Sequence, residues 1–568
     1  MKGYKNYPTE KFDHLKQLYL TAAEKYGDKT LIREKVDGAW REYSFHRYAA
    51  DVDALGTELC AGGYVGKNII VTGENSYAWV TAYMAVISGV GVIVPVDKDI
   101  SSEEMAHIVN TCEPALIIGS ASALEKFSGV ADDVDRICFD QLADWIKRGN
   151  DRIIAGDRTY LDAQVDANAM SMLIFTSGTA GVIKGVMLSH RNICFNLSEM
   201  CQMLYLGEED HFLSVLPLHH AYECVCGFLA PLYRGCTVSF SEGLRYFTRN
   251  LREVQPTVML CVPLLIETMY RNVWKTIRKQ GLEKKVLSAV KMTNALPGEK
   301  MRTAAKKKAF ARIHENFGSK LRLMLSVGAP IDPDVLSGLR DFGIKAYQGY
   351  GLTECAPIAA LNRDSFFNDA SAGMASPNAL LDIYDVQNDG TGEIRYKGEN
   401  VMLGYYKMPE LTAKVLRGGW FYTGDLGYLD ENGFLFITGR KKNAITVSGG
   451  KSIFPEELEE LLTKNAYVKE AVVVGYPNEK KKDYDVVAVI YPDYQKAKET
   501  YGQNFAESQL DLELKKAIAE VNGAVQSYKR IVTYVIRTEE FPKNFSRRIK
   551  RVGIAESAYG AYLEKIKH

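Results

Sequence analysis

Short runs rich in β-branched residues alternate with helix-length amphipathic segments over most of the first 380 residues. This order predicts parallel strands joined by crossover helices, because two parallel neighbours need a long connection that returns to the same end of the sheet. The predicted strands are residues 68–72, 90–96, 115–118, 171–176, 212–216, 237–241, 257–262 and 321–326. The predicted helices include residues 77–88, 103–111, 223–232 and 332–340.

The pattern changes at about residue 380 to strands separated by tight turns. Asn432-Gly433 predicts a two-residue hairpin turn there. Beyond Gly439 the expected elements form a compact α+β unit: helix 455–464, strands 468–475 and 484–491, helix 509–521 and strand 531–536. We therefore expect an α/β N-terminal domain of parallel sheets, residues 1–439, with a β-rich subdomain at about 380–439, and a small α+β domain, residues 440–568.

Composition excludes several classes of protein. Lys+Arg and Asp+Glu are equal at 70 each, so no overall field favours nucleic acid. The apolar run 79–96 is divided by two glycines and a proline, which predicts a buried helix and strand rather than a membrane span of about 20 apolar residues. Ten cysteines without regular spacing, and no secretory signal in residues 1–14, predict a cytoplasmic protein with reduced thiols.

The segment TSGTAGVIKG, residues 176–185, follows an apolar strand and predicts a phosphate-binding loop. Its glycines and hydroxyl residues leave backbone N–H groups free to surround a phosphate, and Lys184 adds a positive charge. It is not the P-loop of NTPases, because that motif places Gly directly before the Lys and Ser or Thr directly after it. Lys184 lies between Ile183 and Gly185 instead.

Four more motifs follow in order: SVGAP (326–330), QGYGLTE (348–354), YTGD (422–425) and GR (439–440). Together with the glycine-rich loop, they resemble the adenylate-forming superfamily of acyl-CoA synthetases, luciferases and peptide-synthetase adenylation domains. The resemblance covers roughly residues 30–551. The loop departs from the family sequence T-S-G-T-T-G-x-P-K-G at Ala180 and Ile183.

The resemblance implies ATP, Mg²⁺ and coenzyme A as cofactors. The residues expected to bind them are Thr176, Ser177, Gly178, Thr179, Gly181, Gly328, Ala329, Tyr350, Gly351, Asp425, Arg440, Lys442, Gly449 and Gly450.

Chemical roles are expected for several of these residues and for Thr353 and Glu354. The small residues Gly328 and Ala329 allow a flat ring to approach the backbone, and Tyr350 can close on its other face. By resemblance, Thr353 contacts the α-phosphate, and Asp425 with Arg440 contacts the ribose. Glu354 and Thr179 are expected to hold Mg²⁺, a hard cation that prefers oxygen ligands.

A histidine pair lies in the segment LPLHHAYE, residues 216–223. A lone histidine is more often a satisfied core residue than a ligand, but the resemblance places His220, and to a lesser extent His219, in an acyl pocket beside the α-phosphate. The following Glu223 is typical of the long-chain fatty acid branch. No zinc pattern is present, since no second ligand cluster occurs at metal spacing.

The segment PKNFSRRIKR, residues 542–551, places Arg548 where the family has its catalytic lysine. Arginine keeps the positive charge but presents a planar fork with a different geometry toward oxyanions. Three interpretations remain open: Arg548 substitutes electrostatically, Lys550 or Lys543 moves into the site, or adenylation is crippled.

Residues 271–312 contain 13 Lys or Arg against two acidic residues, in a segment predicted to be helical. Such a surface is usually only solvated, but it could also contact an anionic membrane at its inner face, or an acidic acyl carrier protein.

The expected activity is ATP-dependent ligation of a medium- or long-chain fatty acid to coenzyme A through an acyl-adenylate, with release of AMP and pyrophosphate. Apolar residues expected near the acyl pocket are Tyr222, Val225, Phe228 and Leu264. A hinge at Lys442 would let the C-terminal domain replace the Arg548 loop with the segment 448–451. Alternatives are a ligase that acylates a carrier protein, and a nucleotide-binding sensor without turnover.

Overall fold

The structure, a computed structural model, describes residues 6–177, 183–388, 390–447, 451–478, 483–543 and 549–566. Up to residue 203 its elements are α1 (Leu15–Tyr26), β1 (Thr30–Val36), β2 (Ala39–Ser44), α2 (Phe45–Ala61), β3 (Asn68–Thr72), α3 (Tyr77–Ala85), β4 (Val92–Val96), α4 (Ser102–Cys112), β5 (Leu116–Gly119), α5 (Ala121–Glu125), β6 (Asp135–Cys138), α6 (Leu142–Ile154), β7 (Met170–Ser177), β8 (Ile183–Ser189) and α7 (His190–Met203).

The middle of the chain supplies the second set of strands and helices. These are β9 (His211–Ser214), α8 (Ala230–Arg234), β10 (Thr237–Phe240), α9 (Phe247–Val254), β11 (Val258–Cys261), α10 (Pro263–Lys279), α11 (Glu283–Asn294), α12 (Glu299–Ala309), α13 (Ala311–Glu315), β12 (Leu323–Ser326), α14 (Pro333–Asp341), β13 (Lys345–Gly351), β14 (Ile358–Leu361), β15 (Met374–Ala375) and β16 (Leu380–Tyr384).

The remaining elements complete the β-rich region and the C-terminal unit. They are β17 (Gly392–Lys397), β18 (Gly404–Tyr405), α15 (Pro409–Val415), β19 (Leu416–Arg417), β20 (Trp420–Leu429), β21 (Leu435–Arg440), β22 (Ile445–Val447), β23 (Lys451–Ile453), α16 (Pro455–Thr463), β24 (Val468–Asn478), β25 (Asp483–Pro492), α17 (Tyr494–Tyr501), α18 (Glu507–Ala524), β26 (Thr533–Ile536) and α19 (Ile554–Ile566).

Two large, mainly parallel sheets form the N-terminal part. One has the strand order β18-β8-β7-β4-β3-β5-β6 and the other the order β15-β14-β13-β12-β11-β9-β10-β1-β2. Strand β3 is buried on both faces, which explains its continuous apolar sequence, and it lies parallel to β4 and β5 with Ile69 opposite Ile93 and Leu116. The predicted α/β class is confirmed.

Antiparallel pairing dominates after residue 380, as the sequence predicts. Strands β16, β17, β20, β19 and β21 form one antiparallel sheet, and α15 is a helix that the turn-rich pattern did not predict. In the C-terminal unit, β24, β25 and β26 form a sheet whose core includes residues of α16 and α18. This confirms the β-rich region and the α+β C-terminal part of the expected fold.

Two local expectations differ from the structure. The segment predicted as helix 223–232 is helical, but its first part is a π-helical turn, Tyr222–Leu229, that continues directly into the short α8. The β20–β21 connection is the loop 430–434 instead of a two-residue turn. The carboxylate of Asp430 accepts hydrogen bonds from the backbone N–H groups of Asn432 (2.9 Å) and Phe434 (2.8 Å), which stabilises this wider loop.

All ten cysteines are free thiols, most of them buried. In the part of the chain that the structure describes, no helix combines the length and the apolar composition that crossing a membrane requires.

Candidate active site

The carboxyl ends of the parallel strands bring the sequence motifs to one edge of each sheet. In the sheet that contains β12 and β13, Ser326 at the carboxyl end of β12 lies opposite Gln348, and Gly328 and Tyr350 follow these two residues at the same separation along the chain. Gly328 has φ +105°, a conformation that favours glycine, and no atom lies within 4 Å of where a Cβ would be. Ala329 beside it is exposed, so the backbone here is open to a flat ligand.

The glycine-rich loop is the tip of a hairpin between β7 and β8. Thr176 pairs with Lys184 and Ser177 with Ile183, so the described stem fixes where both ends of the loop begin. The loop residues expected to bind phosphate and metal lie outside the described residues: Gly178, Thr179 and Gly181.

Lys184 contacts the expected metal-binding carboxylate through a tyrosine. Its Nζ lies 4.7 Å from the ring centre of Tyr405, and the Tyr405 hydroxyl donates a 2.9 Å hydrogen bond to Oε1 of Glu354. Tyr405 is held there by β18, which pairs with β8 so that Tyr405 lies opposite Val186. Tyr405 could not be predicted as a site residue, because no motif distinguishes it from the other tyrosines of the chain.

Two buried asparagines anchor the turn Thr353–Cys355, which carries Thr353 and Glu354. The side-chain amide of Asn196 donates to the backbone oxygens of Cys355 (3.2 Å) and Ile358 (2.8 Å). The amide of Asn400 donates to the same two oxygens at 2.7 and 3.0 Å. Fully buried polar groups of this kind hold a loop in one conformation, because breaking their bonds would leave donors without partners.

Close backbone packing requires glycine immediately before that turn. A Cβ on Gly351 would lie 2.4 Å from the backbone oxygen of Pro357. The N–H of Leu352 donates to the same oxygen at 2.9 Å. The turn therefore requires glycine at position 351. This is a structural role for a residue that the sequence motifs predict to bind ligand.

Asp425 connects the proposed ribose-binding and adenine-binding residues. Its Oδ2 accepts a 2.7 Å hydrogen bond from the Tyr350 hydroxyl, and its Oδ1 lies 3.0 Å from Nε of Arg440. Asp425 and Arg440 face each other directly across β20 and β21. The three residues named from separate motifs therefore form one cluster, with Asp425 almost fully buried.

Lys442 belongs to a group of cations that faces the same region. Partial burial of its ammonium group, together with the charges of Arg440, Lys184 and Arg551, lowers the pKa of Lys442 to about 8. A concentration of positive charge that depresses a lysine pKa is a favourable environment for a polyphosphate.

The histidine pair lies beside the end of β4. Oδ2 of Asp97 is 3.6 Å from Nε2 of His219, and the rings of His219 and His220 have centroids 4.1 Å apart. Burial lowers the pKa of His219 to about 4, and burial with the neighbouring His219 lowers the pKa of His220 well below its usual value. Both imidazoles are therefore neutral at physiological pH and can contribute hydrogen bonds and shape, but not positive charge.

The C-terminal unit is only partly described. Three of its expected site residues lie outside the described residues: Gly449, Gly450 and Arg548. The two lysines considered as replacements are both in ion pairs, Lys543 with Glu470 and Glu540, and Lys550 with Glu104 of α4 at 3.6 Å.

The residues that remain fit a magnesium ion carried by a nucleotide. Among the described residues, no group of three or more His, Cys, Asp or Glu side chains could hold a metal. Mg²⁺ bound to ATP needs only one or two carboxylates, since phosphate and water oxygens fill its other positions. Among the described residues, Glu354 would be the ligand. Its carboxylate accepts from Tyr405, whose ring lies beside the ammonium group of Lys184.

Family models account for nearly the whole chain. The AMP-binding enzyme model matches residues 20–406, and the AMP-binding enzyme C-terminal domain model matches residues 442–568. The chain belongs to the AMP-binding, adenylate-forming enzyme superfamily.

Similar proteins include CoA ligases with different acids in their names. The chain is 26% identical over 573 residues to long-chain-fatty-acid–CoA ligase FadD15 of Mycobacterium bovis, covering 93% of each chain. It is 28% identical to human long-chain-fatty-acid–CoA ligase 1, covering 86% of this chain and 75% of that protein. A structure of o-succinylbenzoate coenzyme A synthetase from Bacillus subtilis with ATP and magnesium superposes with a TM-score of 0.70 at 21% identity, over 94% of this chain and 98% of the other.

This AMP-binding enzyme is therefore an adenylate-forming ligase. CoA ligases of the superfamily use ATP, Mg²⁺ and coenzyme A, which are the cofactors expected from the sequence motifs.

The buried histidines predict that the enzyme loses stability in mild acid. An unfolded chain binds protons at its histidines below about pH 6.5, whereas buried imidazoles stay unprotonated. The free energy of unfolding therefore decreases as the pH is lowered. For His220 alone this loss should be about 1.4 kcal/mol between about pH 7.5 and about pH 5.5. Urea unfolding of His220→Gln should show a pH dependence reduced by that amount.

His107→Gln is the matched control, because His107 is exposed on α4. This variant should keep the wild-type pH dependence. An unchanged pH dependence in His220→Gln would show that His220 is not held neutral.

Proposed function

We propose that this AMP-binding enzyme activates a medium- or long-chain fatty acid as its acyl-adenylate and transfers the acyl group to coenzyme A. The observation that carries the proposal is an apolar side chain at the ligand edge of the β11–β12–β13 sheet. Leu264 follows β11 at the start of α10 and is 56% exposed, so a ligand bound at this edge of the sheet would meet an apolar side chain. The names of the long-chain ligases to which the chain is similar support the same acid class.

The other three apolar residues support this site unequally. Tyr222 is half-buried and its hydroxyl donates to the backbone oxygen of Leu325 at 3.2 Å. Val225 and Phe228 are fully buried in the main core. An acyl chain could therefore contact Leu264 and Tyr222 directly, whereas Val225 and Phe228 are too deeply buried for direct contact.

The first half-reaction joins the fatty acid carboxylate to the α-phosphorus of ATP. A carboxylate oxygen attacks the α-phosphorus, the bond to the bridging oxygen breaks, and pyrophosphate leaves with the electron pair. Lys184, Thr353 and Arg548 would stabilise the charge on the α-phosphate oxygens, and His220 would orient the carboxylate as a neutral group. Glu354, and Thr179 of the loop, would hold Mg²⁺, which would neutralise charge on the phosphates.

The nucleotide is held by the separate clusters described above. The adenine would lie between Gly328-Ala329 and Tyr350, and the ribose hydroxyls would bond to Asp425 and Arg440. The phosphates would contact the stem and loop residues, Thr176, Ser177, Gly178, Thr179 and Gly181. Lys442 would approach them from the other side.

The second half-reaction needs a different arrangement of the C-terminal unit. We place the domain boundary between residues 439 and 440, with the β-rich subdomain at about 380–439 and the hinge at Lys442. Rotation there would withdraw the Arg548 loop and bring Gly449 and Gly450 toward the pantetheine of coenzyme A. The thiol then loses its proton to solvent, its sulfur attacks the acyl carbonyl carbon, and AMP leaves with the oxygen and the electron pair of the broken carbon–oxygen bond.

A panel of acids tests the substrate class. With ATP and coenzyme A, pyrophosphate release should be fastest with long saturated acids such as palmitate and slow with butyrate or benzoate. Leu264→Glu should raise the KM for palmitate by roughly tenfold or more, because hydrocarbon would then lie against a carboxylate, while the KM for ATP stays unchanged.

Leu512→Glu is the matched control, since Leu512 is 55% exposed on α18 of the C-terminal unit. It should leave both KM values unchanged. Faster turnover of aromatic acids than of palmitate would contradict the proposed acid class. Absence of pyrophosphate release with every acid would favour a nucleotide sensor, and turnover with an acyl carrier protein but not with coenzyme A would identify the other acceptor.

Arg548 is predicted to act in the first half-reaction only. Arg548→Ala should reduce pyrophosphate release by roughly 100-fold or more, the usual effect of removing a group that stabilises transition-state charge. Transfer from a supplied acyl-adenylate to coenzyme A should change little. Arg548→Lys, which restores the residue typical of the family, should retain most of the activity, and equal loss in both half-reactions would contradict this role.

We also propose that the basic surface binds an anionic membrane, from the cytoplasmic side. The basic surface consists of the exposed Lys and Arg residues of 271–312, which lie on α10 to α13. Exposed apolar side chains are interspersed with them: Leu287 at 46%, Met292 at 71% and Met301 at 52%. Cationic and apolar groups together suit the interface of an anionic bilayer, from which a fatty acid can be drawn.

Vesicle binding tests the basic surface. Binding to phosphatidylserine vesicles should weaken steeply as salt rises from about 50 to about 500 mM, because the charges are exposed. Reversal of three charges on α11, Lys284, Lys285 and Lys291 to Glu, should weaken binding by roughly 100-fold. The same reversals at the exposed Lys11, Lys25 and Lys67 should have a much smaller effect, and binding to an acidic carrier protein but not to vesicles would contradict the proposal.

A further inference from the structure

Glu223 is an enclosed carboxyl group at the start of the π-helical turn Tyr222–Leu229. Its side chain is 1% exposed, and a Cβ added to Gly227 would lie 2.6 Å from its carboxyl carbon. Among the described residues, Oε2 of Glu223 has no hydrogen-bond partner. An ionised carboxylate in this position would keep a negative charge in an apolar core without compensation, which is strongly unfavourable.

A chain of hydrogen bonds leads from Glu223 to the loop 215–218. The hydroxyl of Ser214, at the end of β9, donates to Oε1 of Glu223 at 2.5 Å. The side-chain amide of Asn75 donates to the Ser214 hydroxyl at 3.0 Å and to the backbone oxygen of Leu216 at 2.7 Å. The N–H of Leu218 donates to Oδ1 of Asn75 at 3.0 Å.

The last bond of this chain is adjacent to the histidine pair. Leu218 directly precedes His219 and His220, so the backbone that enters the pair is fixed on one side by Asn75. On the other side, the backbone oxygen of His220 accepts from the N–H of Cys224, one residue beyond Glu223. The backbone that carries the two imidazoles is therefore held at both ends, on one side by the hydrogen bonds that lead from Glu223 to Leu218 and on the other by the helical turn that contains Glu223.

The titratable groups around Glu223 stay neutral. From its own turn these are the phenol of Tyr222 and the thiols of Cys224 and Cys226, and from β11 the thiol of Cys261. Burial raises the pKa of each, to about 12 for Cys224 and well above its usual value for Tyr222 and Cys226. Burial also raises the pKa of Glu223 to about 8, against a smaller opposing effect of the Ser214 hydrogen bond.

We propose that Glu223 is a positioning residue, which as a neutral acid fixes the loop that presents His220, acting through Ser214 and Asn75. The catalytic consequence rests on the proposed function, because it assumes that His220 meets the reacting carboxylate. The structural link from Glu223 to the loop does not rest on it.

Glu223→Gln and Glu223→Ala separate this role from simple packing. Glutamine keeps the shape and the neutral charge, so it should keep the turnover rate at neutral pH within about twofold. Alanine leaves the Ser214 hydroxyl without its acceptor and should lower kcat by roughly tenfold, with the KM for ATP unchanged. Hydrogen exchange at the Leu218 amide should accelerate by roughly tenfold in Glu223→Ala and not in Glu223→Gln.

Cys226→Ala is the matched control, a buried truncation within the same π-helical turn. It should lower the melting temperature without changing exchange at Leu218 or kcat. Equal effects of Cys226→Ala and Glu223→Ala on exchange and kcat would overturn the proposal.

Melting temperatures of the wild type and of Glu223→Gln, measured at several pH values without substrate, test whether the carboxyl group of Glu223 stays protonated in the folded enzyme. Between about pH 5 and about pH 8 the unfolded chain has released the Glu223 proton and the folded chain still holds it, so folding stability falls as pH rises. This contribution is complete below about pH 4.5 and is lost by the time the pH has risen through about 8. The wild-type melting temperature should therefore fall relative to that of Glu223→Gln across this range.

If the melting temperatures of the wild type and of Glu223→Gln changed equally with pH, the proposal that Glu223 is a neutral acid would be overturned. This comparison uses only the conservative variant. Absence of fatty acid turnover in the wild type would instead remove the proposed function, while the exchange and melting results would still decide the structural role of Glu223.

Discussion

Two amide side chains, Asn196 and Asn400, hold the turn on which the rest of the active site depends. Asn196 lies on α7 and Asn400 in the segment before β18. Each side-chain amide donates hydrogen bonds to the backbone oxygens of Cys355 and Ile358. Since both amides are buried, moving the turn would break four hydrogen bonds without water to replace them. Thr353 and Glu354 are thus held in place by the protein itself, and in the proposed reaction this preorganisation would stabilise the developing charge.

The charges around this turn are distributed unevenly. The positive groups, Lys184, Arg440, Lys442 and Arg551, surround the region expected to hold phosphates. The side on which the acid is expected contains neutral imidazoles and apolar groups. This division suits a reaction between an anionic nucleotide and a carboxylate with an apolar tail, because a cation beside the acyl chain would bind the carboxylate without activating it.

Much of this arrangement could be predicted from the sequence, because it depends on local patterns. Strand β3 begins and ends at the predicted residues, since its apolar run is bounded by polar turns. The motifs containing Glu354 and Asp425 identified a turn and a strand, β20, and the structure joins Tyr350, which precedes the turn, to Asp425 by a hydrogen bond. Contacts between distant residues could not be predicted: the hydrogen bond from Tyr405 to Glu354 joins residues 51 positions apart, and that from Asn196 to Cys355 joins residues 159 apart. The π-helical turn was also missed, because its hydrophobic pattern differs from that of an α-helix by less than a short segment can reveal.

Lys442 lies at the proposed hinge, and because its pKa is lowered, its charge depends on conditions close to neutral pH. With a pKa of about 8, an appreciable fraction of the empty enzyme carries no charge there in slightly alkaline surroundings. A bound triphosphate would draw a proton onto this amine, and departure of pyrophosphate would release it again. In the proposed reaction, Lys442 would therefore be protonated more fully while a triphosphate is bound than after pyrophosphate has left.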